Sequence, residues 1–164
     1  EAHPRSELGR GTALELCLPA LELEVGEQAS VVPGAAQPAP QSGAGRTILV
    51  AEDEEALCAI MREALTVRGY RVVAAETAAQ AVEAMKVVHL DGIVCDLMMP
   101  DGGGRRVLAA ARELPHSPPV IIVTGRIEDH ITSELLALGA ATCLHKPFDL
   151  HDLLVATEHV FQAG

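Results

Sequence analysis

Between Arg46 and Gln162, a short apolar run and a stripe of apolar residues at helical spacing alternate five times. Thr47-Ile48-Leu49-Val50-Ala51 is unbroken, as in a strand covered on both faces. Leu57, Ile60, Met61, Ala64 and Leu65 then recur at the period of a helix, which Gly69 stops. Arg71 to Ala75 reads as the second strand. Ala78, Ala81, Val82, Met85 and Val88 form the next stripe, with Thr77 placed to cap it. Gly92 to Asp96 is the third strand, and Val107, Leu108, Ala111 and Leu114 mark a helix ending before Pro115. Val120 to Val123 is the fourth strand, followed by Ile127, Ile131, Leu135 and Leu138 and a stop at Gly139. Ala141 to His145 is the fifth, and Leu150, Leu153, Leu154, Thr157 and Phe161 line the last helix. Five strand–helix units in about 115 residues predict an α/β fold, a doubly wound five-stranded parallel sheet.

Aromatic residues are 2% of the chain, so its core must be aliphatic. The net charge of −11 repels phosphate backbones and anionic lipid, which argues against nucleic-acid binding and direct membrane contact. No apolar stretch approaches the ~20 residues of a membrane helix, and the first residues lack a signal-peptide pattern. Together with cysteines that are never close in sequence (Cys17, Cys58, Cys95, Cys143), this points to a cytoplasmic location. Cys58 and Cys95 fall in apolar patterns and read as small buried hydrophobes. The histidines are scattered and read as surface positions.

Residues 26–45 are rich in Pro, Ala and Gly without periodicity, a linker partly stiffened by proline. The linker separates residues 1–25 from a domain at 46–164. In the N-terminal piece Leu14, Leu16 and Leu18 alternate with Ala13, Glu15 and Cys17, which predicts a half-buried strand appended to the main fold; Leu21 to Val25 alternates likewise. The chain does not begin with Met, consistent with a piece of a longer protein.

In a doubly wound sheet, ligands bind beyond the carboxyl ends of the strands. Glu52 and Asp53 follow the first strand, Asp96 ends the third, Thr124 follows the fourth and Lys146 the fifth. The hydrophobic pattern therefore converges them on one edge. Three carboxylates at ~4 Å and an effective dielectric near 20 repel by roughly 4 kcal/mol per pair, so the cluster needs cations. One Mg²⁺ and the Lys146 ammonium would balance it, and magnesium takes oxygen ligands only. The same groups suit phosphoryl transfer, with Asp96 as nucleophile and Lys146 and Thr124 holding phosphoryl oxygens.

The blocks Val50-Ala51-Glu52-Asp53-Glu54, Asp96-Leu97-Met98-Met99-Pro100, Val123-Thr124-Gly125 and Lys146-Pro147-Phe148 resemble, in order and spacing, those of bacterial response-regulator receiver domains. The resemblance implies a flavodoxin-like sheet of order 2-1-3-4-5, an order that comes with the family and not from the pattern. It implies Asp96 as phosphoacceptor and a magnesium site of Glu52, Asp53, Asp96 and the Met98 backbone carbonyl. Lys146 becomes the phosphate-contacting lysine, followed by a cis bond to Pro147, and Thr124 the switch hydroxyl. The N-terminal Gly9-Arg10-Gly11-Thr12 turn, with its alternating strand and Leu18-Pro19, is similar to the end of a histidine-kinase ATP-binding domain. Together these imply the C-terminus of a hybrid sensor histidine kinase, whose parent protein can be membrane-anchored. The implied partners are the phosphodonor domain of the same kinase and a histidine phosphotransfer protein. The severed strand would dock on the receiver, pair with a second copy in a dimer, or fray.

Cys143 stands where receivers commonly carry an aromatic switch residue, and Asp101-Gly102-Gly103-Gly104 predicts a mobile loop. Met98 and Met99 read as loop packing, Arg105 and Arg106 as solvent-facing, and His145 as an exposed strand end. Two alternatives carry other functions. An aspartyl phosphohydrolase of the haloacid-dehalogenase type would want an acid where Met98 stands; a receiver that is never phosphorylated and only binds protein would have no use for the intact acids and lysine.

Overall fold

The computed structural model describes residues 2–7, 11–16, 43, 45–125 and 129–162. By backbone packing the chain divides into two units, Glu1–Ala35 and Ala36–Gly164. In the first, β1 (Ala2–Glu7) pairs antiparallel with β2 (Gly11–Leu16), Ala2 opposite Leu16 and Glu7 opposite Gly11. Leu14 and Leu16 thus lie on a strand as expected. Its partner β1 was not legible, because Ala2 to Glu7 shows no apolar alternation and contains Pro4. Leu18, Leu21 to Val25 and Ile127 lie outside the described residues.

The second unit is the alternating domain. Its strands are β3 (Thr47–Ala51), β4 (Arg71–Ala75), β5 (Gly92–Asp96), β6 (Val120–Thr124) and β7 (Thr142–His145). Its helices are α1 (Glu55–Val67), α2 (Ala78–Val87), α3 (Gly103–Glu113), α4 (Asp129–Ala137) and α5 (Leu150–Gln162). All pairings are parallel, in the order β4-β3-β5-β6-β7, which is 2-1-3-4-5 counted within this domain. Successive strand residues point to opposite faces. Leu49, Ala51, Ile93, Cys95, Val120 and Ile122 meet residues of α2, α3 and α4 on one face. Ile48, Val50, Val94, Ile121 and Val123 meet residues of α1 and α5 on the other. Every residue of β5 and β6 is buried, which is why their sequences read as continuous apolar runs.

Local signals act as read. The Thr77 hydroxyl accepts from the Gln80 N–H at 3.2 Å and caps α2. Gly69 and Gly139 adopt positive φ after α1 and α4. The amides that follow each of them, on Tyr70 and Ala140, fold back to the carbonyls of Leu65 and Leu135. Three stripe positions depart from expectation, among them Leu150, 41% exposed at the first residue of α5. Ile60 is 47% exposed, because Cys58, Met61 and Leu65 define the inner face of α1, and Leu138, 50% exposed, lies beyond the end of α4. No helix among the described residues is long and apolar enough to cross a membrane.

The three-glycine segment is a correction. It was expected as a mobile loop; instead Gly103 and Gly104 are buried and open α3. A Cβ on Gly104 would lie 2.9 Å from the Asp96 carbonyl oxygen, and one on Gly103 2.2 Å from that of Leu97. The missing side chains let the helix start against the backbone that carries Asp96. Gly43, expected in the linker, is buried, and a Cβ there would sit 2.4 Å from the Tyr70 ring.

Candidate functional site

Because the strands run parallel, their carboxyl ends share one edge. Backbone pairing continues a residue past them. Glu52 donates its amide to the Ala75 carbonyl (3.0 Å), Leu97 to Val123 (2.8 Å) and Lys146 to Thr124 (2.8 Å). The roots of the polar side chains are therefore held by the sheet. The Lys146–Pro147 bond is cis.

The Lys146 ammonium donates to Asp96 Oδ2 at 2.7 Å and to Glu52 Oε2 at 2.9 Å. The other Asp96 oxygen, Oδ1, accepts from the Met98 amide at 2.9 Å. Glu52, Asp53 and Asp96 each place a carboxylate oxygen within 4.8 Å of the others. Glu52 is 1% exposed and Asp96 is also buried, whereas the neighbouring Asp53 faces solvent. Thr124 is fully buried at the end of β6, paired in register with His145. The geometry thus brings Glu52, Asp53, Asp96 and Lys146 together and sets Thr124 on the adjoining strand end.

Burial pushes the Glu52 carboxyl above its ordinary pKa; the Lys146 bond opposes this and the Asp96 charge adds to it. Burial pulls the Lys146 ammonium down, but its bonds to Asp96 and Glu52 outweigh that and leave it raised. The lysine's contribution to stability is accordingly complete at neutral pH and is lost only above the ordinary lysine range. Glu52 behaves oppositely. Its proton is held more tightly in the fold than in the unfolded chain, so ionising it costs stability above the raised pKa and nothing below the ordinary carboxylate range. Glu52→Gln is expected to raise the Tm of the metal-free chain at neutral pH, with the gain shrinking as pH falls into that range. A lower Tm at neutral pH would contradict the charge assignment.

Three carboxylates against one ammonium leave −2 when all are ionised, the charge of one divalent cation. The cluster offers carboxylate oxygen and neither thiolate nor imidazole, which suits a hard ion.

Other positions agree with expectation only in part: Arg105 and Arg106 are solvent-exposed as read, whereas Met98 and His145 are not placed as read. Met99 is buried as loop packing, but Met98 is 60% exposed. Arg105 grips Glu134 of α4 with both terminal guanidinium nitrogens, Nη2 to Oε2 at 3.0 Å, and Arg106 Nη1 donates to the Asp101 carbonyl at 3.0 Å. No local pattern signals the first pair, whose members stand on different helices. His145 is half-buried, with Nδ1 enclosed and lacking a hydrogen-bond partner among the described residues. Cys143 is half-buried against the α2–α3–α4 face, and burial pushes its thiol up, so it acts as a small protonated hydrophobe. Cys58 and Cys95 are buried as expected.

Known proteins agree with this frame. The chain is 31% identical over 164 residues to the sensor kinase CckA of Brucella abortus, covering 96% of this chain and 17% of that protein. It is 35% identical over 107 residues to the transcriptional regulatory protein KdpE of Mycobacterium tuberculosis, covering 65% of this chain and 47% of the relative. The chain therefore spans less than half the length of either. The non-phosphorylated HemR receiver domain of Leptospira biflexa superposes with a TM-score of 0.66 at 30% identity, over 71% of this chain and 94% of that one. Residues 48–158 match one family as a continuous block that takes in the carboxyl ends of β3 to β7, and over them the chain belongs to the response regulator receiver domain family.

Proposed function

We propose that this receiver accepts a phosphoryl group from a phosphohistidine onto Asp96, as one step of a two-component phosphorelay. The observation that carries the reading is the Lys146 ammonium bridging Asp96 and the buried Glu52, with an Asp53 oxygen within 4.8 Å. Asp96 Oδ2 attacks phosphorus, the P–N bond to the histidine breaks, and the imidazole leaves with its electron pair. Lys146 orients the carboxylate beforehand and meets a phosphoryl oxygen afterwards; the Thr124 hydroxyl meets another. When bound, magnesium supplies charge screening of the phosphoryl oxygens, and Glu52, Asp53, Asp96 and the Met98 carbonyl would hold it. A near-complete two-state switch needs about 5.5 kcal/mol of differential stabilisation, within reach of several charge-assisted hydrogen bonds.

The parent is read as a hybrid sensor histidine kinase: residues 1–25 end its ATP-binding domain, 26–45 link, and 46–164 receive. The CckA match supports this, since it covers 96% of the chain and so extends beyond residues 48–158. The phosphodonor is then that kinase's own histidine domain or a histidine phosphotransfer protein, on the cytoplasmic side. Incubation with acetyl phosphate and Mg²⁺, read by intact mass, tests the acceptor chemistry. One added phosphoryl group is expected, lost when Mg²⁺ is chelated. No addition, or addition independent of Mg²⁺, would overturn the reading.

A further inference from the structure

At the opposite end of the sheet from the acidic edge, two connections approach each other. His89 lies between α2 and β5, and His116 between α3 and β6. Each is rooted in packed structure. His89 is followed by Leu90, which is 1% exposed. His116 sits in a tight turn closed by the Ser117 amide on the Leu114 carbonyl at 3.0 Å, while Arg112 Nη1 reaches the Ser117 hydroxyl at 3.3 Å. Both imidazoles are exposed, and their ring centres stand 4.6 Å apart with the planes tilted by 38°.

That separation has a chemical meaning. Two imidazoles bound side by side to one ion, each through a metal–nitrogen bond of about 2.0–2.1 Å, place their ring centres roughly 5.2 Å apart at the tetrahedral angle and about 4.5 Å apart at 90°. The observed 4.6 Å is shorter than the tetrahedral separation, so chelation needs the two rings to turn apart about their side-chain bonds. The net charge of −11 also favours cations at the surface. Imidazole selects zinc and its transition-metal neighbours, whereas magnesium prefers oxygen. We propose that His89 and His116 form a two-histidine site for a borderline divalent ion of the zinc class, separate from the acidic edge. The two histidines supply half of a tetrahedral set, leaving the other positions to water. A bound ion would clip the α2–β5 connection to the α3–β6 connection, at the far end of the helix that begins beside Asp96.

The test is a Zn²⁺ titration of the full chain with Mg²⁺ in excess to fill the acidic cluster, followed through the histidine ring signals by NMR. The rings of His89 and His116 should shift together and saturate at one ion per pair, and Tm should rise with zinc. His89→Asn and His116→Asn, both at exposed positions, should leave the zinc-free Tm unchanged. Each should weaken binding at the pair at least tenfold and stop the response of the remaining ring. Rings that stay unmoved, or zinc affinity unchanged in the double variant, would overturn the site, as would shifts no larger than those of His151 and His159.

Discussion

Asp96→Asn is expected to lower labelling by acetyl phosphate at least a thousandfold, to the limit of detection by intact mass. The substitution is close to isosteric. The asparagine carbonyl can still accept from the Met98 amide, as Asp96 Oδ1 does at 2.9 Å, and Lys146 keeps its 2.9 Å bond to Glu52. What disappears is the anionic oxygen beside the ammonium, and an amide is no nucleophile toward phosphorus. A thousandfold loss corresponds to about 4 kcal/mol of transition-state stabilisation, modest beside what removal of a catalytic nucleophile has cost elsewhere. The variant should also retain a cooperative unfolding transition, which separates lost chemistry from lost structure. Labelling of Asp96→Asn at the native rate would place the acceptor on another group.

Gly103→Ala is expected to destabilise the domain by about 2–5 kcal/mol, read as a drop in the urea midpoint. Two costs add. Gly103 has φ +56°, where a Cβ costs roughly 1–2 kcal/mol. The new Cβ would also lie 2.2 Å from the Leu97 carbonyl oxygen, a backbone atom that cannot swing away; forced overpacking of this kind costs about 1–3 kcal/mol. Gly45→Ala separates the terms. Gly45 has φ +83° but nothing within 4 Å of its would-be Cβ, so that variant should show the backbone cost alone. Because Leu97 follows Asp96 directly, Gly103→Ala should also slow phosphoryl labelling. Equal midpoints for the two variants would show that the close approach at Gly103 carries no energy.

The alternation of buried runs and helical stripes was enough for the sheet, because a strand covered on both faces cannot include polar residues without leaving them unsatisfied. The capping hydroxyl of Thr77 and the stops at Gly69 and Gly139 were legible for a related reason: they are satisfied within a few residues of the chain. Even the convergence of Glu52, Asp53, Asp96, Thr124 and Lys146 followed from parallel strands ending at one edge.

Which acid turns inward did not follow. Glu52 and Asp53 are adjacent carboxylates, equal in composition, yet one is 1% exposed and bonded to Lys146 while the other faces solvent. That difference arises from the pleat carried past the end of β3 and from the reach of a lysine rooted on β7, almost a hundred residues away. The glycine run misled because a Cβ that is absent records equally well a free backbone and a crowded one; only the neighbouring carbonyls of Asp96 and Leu97 distinguish them. The grip of Arg105 on Glu134 and the meeting of His89 with His116 likewise depend on how separate elements pack. Periodicity along the chain specifies which side of an element is buried, whereas contacts between distant side chains exist only once those buried sides have been brought together.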